Sequence, residues 1–168
     1  ISVNDCVVHW VPSKRMVFEA WDVVKFDFWV KDKVIWVNTD AAFTMIVWDW
    51  PHDEKVVKFL KVAEEALYKW IKKAIPWNRV WDIGHAIQTH IESNGFYVIK
   101  DLTGHWVGYT LHEKPYIPNY WIPGNWVVLK ENMLLAIEPI VWFSSGKIVD
   151  SKWFEIYNLD GIFEDTNE

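Results

Sequence analysis

The chain has 168 residues, 24% of them charged, and a formal net charge of −6, a length that supports one domain with a usable core, so a single domain over 1–168 is expected. The acidic balance argues against a broad nucleic-acid-binding face, and no apolar run approaches the ~20 residues of a membrane span. Cys6 is the only cysteine, which rules out an intrachain disulfide and points to a reducing, cytoplasmic setting.

Ile1 to Trp10 alternates loosely and reads as a strand. It starts without a methionine, as if in mid-strand, so a truncated N-terminus is expected. Asp22 to Phe28 and Thr39 to Val47 read as two further strands. Pro51 suits the first position of a helix capped near Asp49 or Trp50. From there Val56, Phe59, Leu60, Ala63, Leu67, Trp70, Ile71 and Ala74 recur at helical spacing up to Pro76. A second helix is predicted from Asp82, as N-cap, to Gly95 just past its end. Phe96 to Ile99 reads as a short strand, and 101–125 as a turn-rich stretch. Strands are expected at 126–129, 133–142, 147–149 and 154–158. Strands, then two helices, then strands is an α+β pattern.

Fourteen tryptophans stand against seven glycines. Many sit in turn contexts such as Ala20-Trp21-Asp22, Trp48-Asp49-Trp50-Pro51, Pro76-Trp77-Asn78 and Gly124-Asn125-Trp126. Such slots need φ > 0 or close backbone approach, and so favour glycine. An L-residue held there costs ~1–2 kcal/mol. This placement predicts UGA codons at Trp10, Trp21, Trp29, Trp77, Trp106, Trp121 and Trp126. UGA is glycine in some bacterial lineages and tryptophan in other reassigned codes. The competing explanation is a Trp-rich ligand-binding module with aromatic platforms, which would not select turn slots.

Three clusters could carry chemistry. Asp27 and Asp40 lie at odd separation on neighbouring strands, so a hairpin with an even loop places them on one face, directly opposite each other. Two facing carboxylates repel unless a cation lies between them; alternatively, one or both face solvent. His105 and His112 share a loop and could approach a metal or a polarised carbonyl, or be ordinary surface. Glu138 interrupts an apolar strand, where a carboxylate must be paired, protonated or metal-bound. A site of carboxylates and imidazole suits Mn, Fe, Co or Zn, and shared carboxylates suit two ions.

With glycine read at the tryptophan positions, a series appears in order: His9-Trp10-Val11-Pro12, Asp27-Phe28-Trp29-Val30, Thr39-Asp40-Ala41-Ala42, Gly104-His105-Trp106-Val107-Gly108, His112-Glu113-Lys114-Pro115, Ile137-Glu138-Pro139 and Phe163-Glu164-Asp165-Thr166. Each motif is weak alone; the ordered series is specific. It resembles type I methionine aminopeptidase over essentially the whole chain, and most of the tryptophans fall where that family has glycine.

The resemblance implies a pita-bread fold, truncated at the N-terminus and at the C-terminus, and a dinuclear site of divalent ions (Co, Mn, Fe or Zn). Asp27, Asp40, His105, Glu138 and Glu164 would be the ligands, with Asp40 and Glu164 shared between the ions. A metal-bridged hydroxide would attack the peptide, with Glu138 as proton shuttle. His112 would bond the substrate amide or tetrahedral intermediate, and His9 would contact the penultimate residue or aid proton transfer. Leu111 and Phe154 match positions of the methionine pocket. The substrates implied are nascent peptides with N-terminal Met in the cytoplasm, with the ribosome as a partner and no membrane. Two departures stand out. The Asp27–Asp40 interval is longer than usual by an even number of residues, implying a longer hairpin, and the approach to Glu164 is shortened. The rival within the fold is a proline-directed peptidase; Glu138-Pro139-Ile140-Val141 favours the methionine enzyme. A non-catalytic pita-bread binding module is the rival outside catalysis.

Overall fold

The computed structural model describes residues 1–48, 53–122, 127–150 and 155–160, without the side chain of residue 150. The N-terminal stretch divides into β1 (Ser2–Val3) and β2 (Cys6–Val8) rather than forming the single strand expected. Asn4 makes the break: it sits at φ 47°, its amide Nδ2 donates to Asp22 Oδ1, and its Oδ1 accepts from the Val23 N–H, both at 2.9 Å. Asn tolerates this left-handed geometry better than most residues.

β3 (Val23–Lys31) and β4 (Asn38–Ile46) form a long antiparallel hairpin, with β1 on the other edge of β3. The loop between them is built by Asp32, whose Oδ1 accepts from Val34 N at 2.7 Å and Ile35 N at 2.9 Å. This side-chain turn accommodates the long Asp27–Asp40 interval.

Helix α1 (Glu54–Ile71) is capped by Asp53, which accepts from Lys55 N at 2.7 Å. The cap therefore differs from the one predicted, and Asp49, Trp50 and Pro51 lie outside the described residues. Phe59, Val62, Ala66 and Trp70 form its buried stripe. Helix α2 (Val80–Ser93) starts earlier than expected: Arg79 is the N-cap, and Asp82 reaches back to accept from Arg79 N at 2.7 Å. Its carboxylate thus serves as the far arm of a capping box. Gly95, at φ 85°, closes the helix as predicted, with Phe96 N returning to Ile91 O.

The helices pack on one another, and α2 also lies against β5 (Tyr97–Val98) and β7 (Glu113–Pro118). Trp70 is fully buried and joins them through its Nε1, which donates to Ile83 O at 2.6 Å. Phe59, Phe96 and Phe143 form a contiguous aromatic group, with Phe59 and Phe143 stacked at 4.0 Å. Burying side chains of this size stabilises the fold by ~1.5–3 kcal/mol each.

The supposedly turn-rich stretch holds two real strands. β6 (Thr103–Trp106) lies between β7 and β8 (Leu135–Ala136) in one sheet. The expected 133–142 strand is interrupted: β8 ends at Ala136 and β9 (Val141–Trp142) pairs with β5. Pro139 lies in the gap, and its missing N–H cannot extend a ladder. Glu138 therefore lies between strands, not inside one. In the expected 126–129 strand, Val128 makes an isolated bridge to Arg79, and Trp126 lies outside the described residues. β10 (Ile148–Asp150) and β11 (Ile156–Asn158) complete a sheet with β2.

Backbone dihedrals bear on the tryptophan placement. Trp21 (φ 86°), Trp36 (φ 60°), Trp48 (φ 72°) and Trp77 (φ 78°) are all left-handed, whereas Gly95 is the one left-handed glycine among the described residues. Trp10, Trp29, Trp106 and Trp121 are not left-handed, and Trp126 lies outside the described residues. Some tryptophans thus occupy glycine-like turn conformations and others do not; Trp70 is core.

Candidate metal centre

Asp27 and Asp40 share one face of the β3–β4 hairpin but are not directly opposite. Asp27 pairs with Ala42 and Asp40 with Trp29, so the carboxylates are diagonal neighbours. The even loop preserved the face and shifted the register.

His105 on β6 is buried and faces both Asp40 and Glu138. Its Nε2 is 3.4 Å from Asp40 Oδ2 and 3.1 Å from Glu138 Oε1. Gly104 lets this strand come close: a Cβ there would stand 2.5 Å from the Ala136 carbonyl oxygen on β8. One ligand atom from each of Asp40, His105 and Glu138 lies within 4.8 Å of the others. Asp27 stands beside this group, where removal from water and then the Asp40 charge raise its carboxyl above the usual range, against His9 and His105. His9 follows β2 at φ 63°, a strained position for a non-glycine residue. The His112 ring packs on His105 with centroids 4.4 Å apart. Leu111 is half-buried beside it. Glu164 and Phe154 lie outside the described residues.

The donor set fits a divalent cation. His105 Nδ1 is 2.9 Å from the Trp106 carbonyl, and a carbonyl only accepts, so Nδ1 donates there and Nε2 is the ring nitrogen turned to the site. Nε2 meets two carboxylates. Glu138 Oε1 is buried without a hydrogen-bond partner. Burial first, then the charges of Asp40 and Asp27, push the Glu138 carboxyl up to about 8. A proton or a cation must resolve such convergence. Donors ~2.1 Å from one shared ion stand roughly 3.0–3.4 Å apart for octahedral to tetrahedral angles. The separations of 3.1 and 3.4 Å fall in that range.

Two residues to which the sequence assigned no role adjoin the site. Asn38, buried, donates from both its backbone N–H (2.7 Å) and its Nδ2 (2.8 Å) to the Gly108 carbonyl. Its signal was a polar residue two before Asp40 on the same strand face. Glu113, quoted only as part of a motif, accepts from Thr110 N at 2.9 Å.

Among the described residues no helix is long and apolar enough to cross a membrane. The sequence pattern of metallopeptidase family M24 matches residues 1–166. The chain is 40% identical over 162 residues to the methionine aminopeptidase of Mycoplasma capricolum, covering 95% of this chain and 62% of that protein. It is similar to the crystal structure of methionine aminopeptidase from Thermotoga maritima, with 42% identity, a TM-score of 0.89, and coverage of 95% of this chain and 63% of that one. Prolidase from Pyrococcus furiosus is less similar, at 26% identity and a TM-score of 0.68, covering 82% of this chain and 40% of that one. The chain thus spans less than two thirds of the length of these relatives. It has the α+β pita-bread architecture that they share, and with the family pattern matched almost end to end the chain belongs to metallopeptidase family M24.

Proposed function

We propose that this chain is the metal-dependent catalytic part of an aminopeptidase that removes N-terminal methionine from nascent proteins. The observation that carries the reading is the convergence of Asp40, His105 and Glu138 on one point. In this reading Asp27 and Glu164 would complete the ligand set that Asp40, His105 and Glu138 begin, and the five would hold two divalent ions. The ions, when bound, supply Lewis acidity that activates water and polarises the scissile carbonyl. Glu138 moves a proton from the attacking water to the leaving amine. His112 donates to the oxygen of the reacting carbonyl, where negative charge develops. His9, close enough to Asp27 for its charge to act there, contacts the residue after methionine. The single domain of 1–168 meets its peptides in the cytoplasm as they leave the ribosome and makes no nucleic-acid contact of its own.

The stronger likeness to methionine aminopeptidase than to prolidase supports methionine over proline specificity. Release of Met from Met-Ala-Ser peptides, with and without Co, Mn, Fe or Zn, tests the proposal. Cleavage that needs the metal and stops on chelation is expected. Undiminished cleavage in metal-free buffer sinks the mechanism, and preference for Xaa-Pro peptides transfers the chain to the proline-directed class.

A further inference from the structure

His112 is exposed and borne on a turn, yet on the aminopeptidase reading its donor must meet one oxygen accurately. Three sets of bonds restrain the turn. Asn38 fixes the Gly108 carbonyl with two donors, of 2.7 and 2.8 Å. Asn38 lies on the face of β4 that also carries Asp40, so the turn is tied to the strand of a candidate ligand. Gly108 N then donates to Thr110 O at 3.1 Å. Glu113 Oε1 finally accepts from Thr110 N (2.9 Å), and the single hydroxyl hydrogen of Thr110 is shared between Glu113 Oε1 and the His112 carbonyl, each 3.3 Å from Oγ1. A Cβ on Gly108 would stand 3.0 Å from Glu113 Oε1, so carboxylate and backbone are in tight contact.

We infer that Asn38 and Glu113 form a clamp that positions the His112 imidazole against His105, making both of them positioning residues for the reaction. Asn38 anchors one end of the 108–113 turn to β4, and Glu113 closes the other. Charged acceptors make the stronger hydrogen bonds, so Glu113 dominates the closure. A misplacement of about 1 Å at a catalytic group can cost ~10²-fold in rate. The clamp rests on the aminopeptidase reading only for its consequence in turnover; its geometric content is independent.

The test compares Glu113→Ala, Glu113→Gln, Asn38→Ala and His112→Ala in the full chain. In metal-free protein, the His112 ring resonances, assigned by their loss in His112→Ala, should shift in Glu113→Ala and move less in Glu113→Gln, which keeps an acceptor oxygen. Asn38→Ala, which removes one of the two bonds to Gly108, should shift them as well. In metal-loaded protein, Glu113→Ala should lower kcat by roughly 10- to 100-fold with KM changed far less and metal content unaltered. Because Glu113 acts through His112, adding Glu113→Ala to His112→Ala should cost nothing further. Unmoved His112 resonances in both Glu113→Ala and Asn38→Ala overturn the clamp, as does full additivity of the double variant. Shifted resonances in a protein that releases no methionine uphold the clamp and sink the functional reading instead.

Discussion

Asp40 and His105 belong to different sheets yet approach to 3.4 Å between Oδ2 and Nε2. Asp40 projects from the β3–β4 hairpin, while His105 is carried by the central strand of β7-β6-β8, which Gly104 brings close to Ala136. The site is therefore a junction of sheets, and variants on either side should be felt at the other.

The two histidines should separate. His105→Ala removes an imidazole aimed at both carboxylates, so metal content and activity should fall together. On the proposed function, His112→Ala removes a donor to the charge developing on the reacting carbonyl, and turnover should fall by ~10²–10³ with metal retained. Calorimetric metal titration of both variants decides it, and equal loss of metal would mean the roles are misassigned.

Asp40→Asn should weaken metal binding more than Asp27→Asn. Asp40 meets His105 directly, whereas Asp27 is not among the three residues whose ligand atoms converge and feels Asp40 and His105 only through their charges. Metal titration of the two variants side by side checks the order; the reverse order contradicts it.

Proton linkage gives a test without metal. The Glu138 carboxyl is raised from 4.5 to about 8 by burial and by the charges of Asp40 and Asp27. Between those values the folded state holds a proton that the unfolded state has released, so this group's contribution to stability falls as pH rises. Asp27 is shifted in the same direction. In chelator, the urea midpoint of the native protein relative to Glu138→Gln should therefore drop between pH 5 and pH 8. Divalent metal should reverse the drop. A difference independent of pH would mean that Glu138 is not in this environment.

Trp77 is 86% exposed at φ 78°. Trp77→Gly relieves ~1–2 kcal/mol of left-handed strain against about 0.5–1 kcal/mol of added backbone freedom in the unfolded chain. A net gain of a few tenths to about 1 kcal/mol is expected from these opposing terms, read as a higher urea midpoint, with better solubility. Trp21→Gly and Trp48→Gly should act likewise. Trp36 gains less, because Lys31 Nζ lies 5.6 Å from its ring centroid. The encoding DNA offers a second check: UGG at Trp21, Trp48 and Trp77 would remove misread glycine as the explanation.

What the sequence showed of this site followed from periodicity and chemistry. Helical spacing located α1 and α2, and strand parity put Asp27 and Asp40 on one face. Register was not legible, because parity fixes the face and not the partner, and Asp32 built a loop that moved Asp27 opposite Ala42. The β6 and β7 strands were hidden by prolines and glycines that read as turns, although Pro115 and Pro118 lie within β7. Asn38 could not be assigned a role, since its partner is a backbone carbonyl seventy residues away in sequence.

Whether Asp40, His105 and Glu138 hold a divalent ion can be seen by anomalous diffraction from crystals loaded with cobalt or manganese. A peak is expected ~2.0–2.2 Å from His105 Nε2 and from oxygens of Asp40 and Glu138. Loaded crystals with no peak within coordination distance of His105 would contradict it.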